Sequence, residues 1–274
     1  MAVLKKGIPV IGTVGQVTIK HYTDKTVVCQ KIGKRTKPLS EAQMRDHYRM
    51  RNTMAMYSRL KGSLMEHFEG CPHLGQASNW YVRHNKHLNV SYLTKHEVDM
   101  GACVVEGHQV SLGTLDAVNH HFTPSGRLVT DIRLGREIDD ATTVGALAAD
   151  ILDHNPSFAQ GDMLDLVYLS QMIAPDGIPM AKYHGASVVL DTNDDRLLNE
   201  HAGWVPWVME EADGQGMLAL GAPLGRDAAC FVHVRHSPSD RHQVSPQRLM
   251  CRNEIVDDYR WELRKELLME CSKE

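Results

Sequence analysis

The chain has 274 residues, 42% of them hydrophobic and 23% charged, with a formal net charge of −4. That composition supports a packed core and excludes disordered, collagen-like and disulfide-scaffold classes. No run of ~18 apolar residues reads as a membrane-spanning helix. The opening MAVLKKGIPVIGTVGQV lacks the apolar core and small-residue cleavage site of a signal peptide. The six cysteines, at 29, 71, 103, 230, 251 and 271, form no C-x-x-C pair and are expected to be reduced thiols of an intracellular protein.

The first elements in chain order are two β-rich runs, 16–22 and 26–30, flanking Thr23-Asp24-Lys25. They predict a hairpin with a short polar loop. A basic connector, KIGKRTK, follows over 31–37. Ser40 and Gln43 then have capping-box spacing, and Met50, Met54, Tyr57, Leu64 and Phe68 recur at helical intervals. They predict one helix over 41–69, roughly 40 Å long at 1.5 Å per residue, ended by Gly70 and Pro72. A shorter helix fits 76–87, anchored by Trp80 and Tyr81.

From about Met100 short β-like runs alternate with turn residues, at 102–106, 109–112, 128–134, 164–170, 186–191, 217–220 and 229–235. Their spacing predicts an antiparallel sandwich or barrel-like body. One helix interrupts it, where Thr142 and Thr143 precede VGALAADILDH and Pro156 lies beyond. A hairpin fits 229–235 with 242–251 across Ser237-Pro238-Ser239-Asp240. The tail, 254–271, reads as a helix with Val256, Tyr259, Leu263 and Leu267 as its apolar stripe and Asn253 as its cap. The expected organisation is therefore α+β: a basic hairpin arm (1–39), a helical segment (40–99), a β-rich body (100–252) and a C-terminal helix (253–274).

The charge is unevenly placed. Residues 1–62 hold 13 Lys/Arg and three Asp/Glu, leaving 17 basic and 31 acidic residues in 63–274. Such polarity fits head-to-tail contacts between copies, non-specific contact with nucleic-acid backbone, or neutralisation within one fold. Protein docking is favoured over nucleic acid, because the chain encodes its own acidic receiver and carries no recognised DNA-binding motif. The arm residues Lys20, Lys31, Lys34, Arg35 and Lys37 are the candidate interface.

Motifs for chemistry are sparse. There is no phosphate-loop G-x-x-x-x-G-K-[ST], no G-x-S-x-G and no H-E-x-x-H. His84 with His87, and His233 with His236 near His242, are the histidine groupings that could serve a metal-dependent hydrolase. None has three ligands at zinc spacing beside an acidic partner. The aspartates at 162 and 165 read as turn and strand-opening residues. Neither a catalytic residue, a metal nor a cofactor is expected.

Five stretches together carry a resemblance: GTVGQVTIKHYTDKTVV, KRTKPLSEAQ, VEGHQVSLGTL, TTVGALAADILDHNPSFAQGDMLDLVYLSQ and AACFVHVRHSPSDRHQVSPQRL. The chain resembles a family from Bacteroidota genomes and their phages, including crAss-like phages, over most of its length. The resemblance implies an Ig-like β-sandwich behind an N-terminal hairpin and helix. It also implies a virion structural role, in a tail or head-to-tail ring, made in the host cytoplasm. Partners would be copies of itself and other tail or portal proteins, without a membrane. The C-terminal DDYRWELRKELLME stands outside the family pattern and is expected to clamp subunits together.

Overall fold

A computed structural model describes residues 12–14, 16–21, 26–30, 38–63, 67–71, 74–201, 205–212, 214–236 and 242–271. The chain divides into two compact units, Met1–Ser40 and Glu41–Glu274.

The first unit contains β1 (Gly12–Val14), β2 (Val17–His21) and β3 (Thr26–Gln30), an antiparallel meander in the order β1-β2-β3. The expected hairpin is its β2–β3 half, in register from Val17↔Gln30 to His21↔Thr26. None of the described side chains in this unit is buried.

The second unit is mixed α+β. It begins with α1 (Glu41–Leu60), α2 (Leu74–Asn85) and the short α3 (Lys95–Asp99). After β4 (Gln109–Ser111), β5 (His120–Phe122) and β6 (Arg127–Leu134) comes α4 (Val144–His154), whose Thr143 hydroxyl accepts the Ala146 amide as N-cap. Next are β7 (Met163–Ile173), β8 (Pro179–Val189), α5 (Leu198–His201), β9 (Trp207–Ala212), β10 (Gln215–Pro223) and β11 (Ala228–His236). The unit closes with β12 (His242–Val244), β13 (Gln247–Arg248), β14 (Met250–Cys251), α6 (Ile255–Asp258) and α7 (Trp261–Cys271).

Two antiparallel sheets dominate, with strand orders β5-β6-β10-β9 and β12-β11-β7-β8; β14 also pairs with β11. Between them lies one core, in which Leu128, Ile132 and Leu218 of the first sheet meet Leu166, Val188 and Phe231 of the second, with Leu147 and Ile151 of α4. The second sheet has another core on its opposite face. There Val167, Leu169, Cys230 and Val232 pack with Met56 and Leu60 of α1 and Tyr81 of α2. Alternation along a strand sends successive side chains to opposite faces, so this sheet serves both cores.

The helix expected over 41–69 ends at Leu60. The chain beyond it pairs as a strand instead: Phe68 bridges Leu112, the Leu112 amide donates to His67 O, and the Glu69 amide donates to Leu112 O. The buried face of α1 also differs from the expected stripe. It is the row Met44, Tyr48, Asn52, Met56 and Leu60, while Met54 is exposed. The tail helix is broken into α6 and α7. The Tyr92 amide takes the Tyr259 carbonyl at 2.9 Å, and Arg260 bridges Ser91, which withdraws this backbone from a continuous helix. Its buried residues are Trp261, Arg264 and Leu268, whereas Leu263 and Leu267 are exposed. Strands β5 (HHF) and β9 (WVMEEA) are not among the expected runs: β5 is polar, and the apolar start of β9 is only three residues long.

Residues 102–106 are extended and buried but form no strand. The Ala102 and Cys103 amides donate to the backbone carbonyls of Glu97 and Pro179, and side-chain amides take the place of a ladder beyond them. Asn52 accepts the Val104 amide at 2.9 Å and donates to Val104 O at 3.0 Å. Gln171 accepts from Val105 N at 2.7 Å and donates to Cys103 O at 3.2 Å, and Asn253 donates to Val105 O at 3.0 Å. Buried backbone groups left without such partners cost about 1–3 kcal/mol each. Asn52→Leu, close in volume, is therefore expected to destabilise the protein by about 2–4 kcal/mol, read as a lower urea midpoint at unchanged slope.

Candidate functional site

The candidate interface falls on the first unit. Lys20 is exposed on β2, opposite Val27 of β3. Lys31, Lys34, Arg35 and Lys37 lie outside the described residues. Around Lys20 the meander leaves apolar side chains open, with Val17 38% and Val28 59% exposed. A three-stranded sheet needs an apolar face packed against something to be stable on its own, and among the described residues this one has no buried side chain to supply it.

The histidines are dispersed through the second unit. His84 sits near the end of α2, stacked on Phe68 at 6.5 Å between centroids, and His87 is exposed just beyond. His236 and His242 face each other across β11 and β12, with centroids 5.9 Å apart. Among the described residues no three His, Cys, Asp or Glu side chains converge at metal-ligand spacing. Two further histidines are neutral, His108 fully buried and His120 partly buried. His120 Nε2 accepts the Phe231 amide at 2.9 Å, and His108 Nδ1 lies 2.6 Å from the Tyr81 hydroxyl. Burial holds His120 down to about 4 and His108 down to about 3.

Asp162 and Asp165, three residues apart, each engage a histidine. His233 Nε2 lies 2.7 Å from Asp162 Oδ2. Arg235 grips the same carboxylate through Nε at 2.9 Å and Nη2 at 2.6 Å, and the Ala159 amide donates to it at 2.8 Å. Burial opposes ionisation of Asp162, but the hydrogen bonds from His233 and Arg235 outweigh it and hold the carboxyl at about 2. This group is saturated and ties the turn before β7 to β11.

The second pair is different. His67 Nε2 lies 2.7 Å from Asp165 Oδ2, with both residues buried. His67 Nδ1 and Asp165 Oδ1 have no hydrogen-bond partner. The pair lines a cavity of about 280 Å³ together with Ser63, Tyr183 and Ser187. Sequence reasoning singled out the aspartates but not His67, which belongs to no motif. The available signal was the Asp-x-x-Asp spacing at the mouth of a strand.

Against known proteins the chain stands alone: no family model, no curated protein and no solved structure matches it.

Two pH windows follow from these groups. His108 and His120 are neutral in the folded state, whereas the unfolded chain takes up their protons near 6.5, so stability falls as pH drops from about 6.5 toward 4. The His108→Gln, His120→Gln double variant is expected to flatten that limb in thermal unfolding measured across pH. Asp162 acts lower. Its depressed carboxyl contributes stability that is present above about 4 and lost as pH falls toward 2. Asp162→Ala, which leaves Arg235 and His233 without their anion, is expected to cost about 3 kcal/mol at pH 7 and to remove this lower limb.

Proposed function

We propose that the protein is a non-enzymatic structural component of a phage virion, forming an oligomeric ring in the tail or head-to-tail connector. The observation that carries this reading is the first unit, a sheet without a buried side chain among the described residues, attached to a large body with its own cores. Such a sheet gains its packing from a partner. Residues 1–40 hold eight Lys/Arg against one Asp, while 41–274 hold 22 Lys/Arg against 33 Asp/Glu. Opposite signs on the two units favour docking of one copy's arm on the body of the next, a heterologous contact that closes into rings.

The strand order supports an Ig-like reading of the body. The orders β5-β6-β10-β9 and β12-β11-β7-β8 match A-B-E-D and G-F-C-C′ of that sandwich. Two of its hallmarks are replaced. No cysteine lies on β6 to bridge Cys230 of β11, and the core tryptophan is Trp207 on β9, set edge-on to Phe231 at 5.0 Å. Packing, with the hydrogen bond from the Phe231 amide of β11 to His120 Nε2 of β5, then joins the two sheets.

Edge pairing offers the arm a mechanism. Strand β8 is an 11-residue edge of its sheet, and an added strand gains main-chain hydrogen bonds without a large apolar patch. Mass photometry with negative-stain imaging tests the proposal. Closed multimers at low salt that loosen at high salt are expected, and Lys34→Glu with Arg35→Glu shifts them toward monomer. A monomer at every salt concentration, or assembly indifferent to the charge reversal, overturns it.

A further inference from the structure

The two buried His–Asp pairs flank β7, one at the turn before it and one on it, and are finished differently. Asp162 receives a bidentate arginine and a backbone amide, and no oxygen is left over. Asp165 receives His67 alone, and one carboxylate oxygen and one ring nitrogen are orphaned. Orphaned buried polar atoms in a native protein call for a functional account. Here the account is adjacent, because both residues line the 280 Å³ cavity.

The walls of that cavity define its ligand. Among the described residues none of its lining side chains is Lys or Arg. The Asp165 side chain is 10% exposed, and Asp165 is one of the residues that line the cavity. The Ser63 hydroxyl donates to Leu60 O at 3.0 Å, and burial pushes the Tyr183 phenol up, so it stays protonated. Its position is built in: a Cβ on residue 185 would lie 2.1 Å from the Tyr183 hydroxyl, so Gly185 makes the space in which that hydroxyl sits. A carboxylate whose one hydrogen-bond partner is an imidazole and which has no Lys or Arg beside it in the cavity, ringed by hydroxyls, is complementary to a small molecule that brings positive charge and several N–H donors.

We propose that this cavity, bounded by Ser63, His67, Asp165, Tyr183 and Ser187, binds a small organic cation of the protonated-amine class. Asp165 supplies the counter-charge. His67, held by its Nε2 contact, fixes the carboxylate, and the Ser63, Tyr183 and Ser187 hydroxyls receive the remaining donors. The site stands independently of the assembly reading, since its lining residues all belong to the second unit.

The test titrates the full chain at pH 7 with methylammonium, ethanolammonium and agmatine, using ethylene glycol as the uncharged control. The readouts are the His67 imidazole resonances by NMR and the thermal midpoint. The expected result is a saturable shift of the His67 signals with at least one cation, a raised midpoint, and neither effect with the glycol. Asp165→Asn, which keeps the shape, is expected to weaken binding at least tenfold. Gly185→Ala displaces the Tyr183 hydroxyl and is expected to weaken it while the chain stays folded; Tyr183→Phe gives the same reading without backbone crowding. No response to any of the three cations, an equal response to ethylene glycol, or unchanged binding in Asp165→Asn overturns the proposal.

Discussion

Strands β7 and β11 pair at the centre of the second unit and are buried on both faces, and the surrounding elements are arranged to cover them. Seven successive residues of β11, from Ala228 to Val234, are buried. Ala229 and Phe231 enter the core between the sheets, while Ala228, Cys230, Val232 and Val234 enter the core beneath the helices. Removing a large apolar side chain from water contributes about 1.5–3 kcal/mol, so neither face can be left open. One face is closed by the β5-β6-β10-β9 sheet with α4, the other by α1, α2 and the segment 102–106. Even the thiols serve packing: burial pushes Cys103 up to about 12 and raises Cys230 as well, which leaves both inert.

Closing the helical face raises a backbone problem that the fold meets with side chains. Residues 102–106 lie against the sheet without a strand partner, and Asn52, Gln171 and Asn253 take the place of a ladder. Glu106 extends the arrangement. Burial raises its carboxyl, opposed by the amides of Val90 and Ser91 and by Asn52 Nδ2, which donate to it. Polar residues in this core are therefore structural in the strict sense. In the His67–Asp165 pair, by contrast, both partners leave hydrogen-bonding capacity unused, and both line a cavity.

The sequence made some of this legible. The run AACFVHV predicts a strand because its apolar content is continuous, and α4 is marked by its threonine cap. The length of α1 was hidden, because helical periodicity through Phe68 carries no trace of the Leu112 backbone that captures that segment. Its buried face was hidden because Asn52, a polar residue, lies in the inward row. The same holds for α7. Arg264 reads as a solvent residue, yet it is buried, donating to Tyr92 O at 2.7 Å and Glu97 Oε1 at 2.6 Å. The expected stripe of Leu263 and Leu267 faces outward in consequence. The cavity pair was half visible: Asp165 was noticed as an acid, but its histidine lies 98 residues away and pairs only in three dimensions.

The contact between α1 and α7 has a bearing on how the chain is made. Tyr48 donates its hydroxyl to Leu268 O across 220 residues of sequence, at 2.7 Å. A ribosome adding 5–20 residues per second needs roughly 10–40 s to bring out that acceptor after the tyrosine has emerged. Throughout this interval the face of α1 that ends beneath α7 is uncovered on a nascent chain. Vectorial synthesis thus delays completion of the helical layer until translation has passed the last sheet strand, and a holding chaperone would find its binding surface on α1 during that wait.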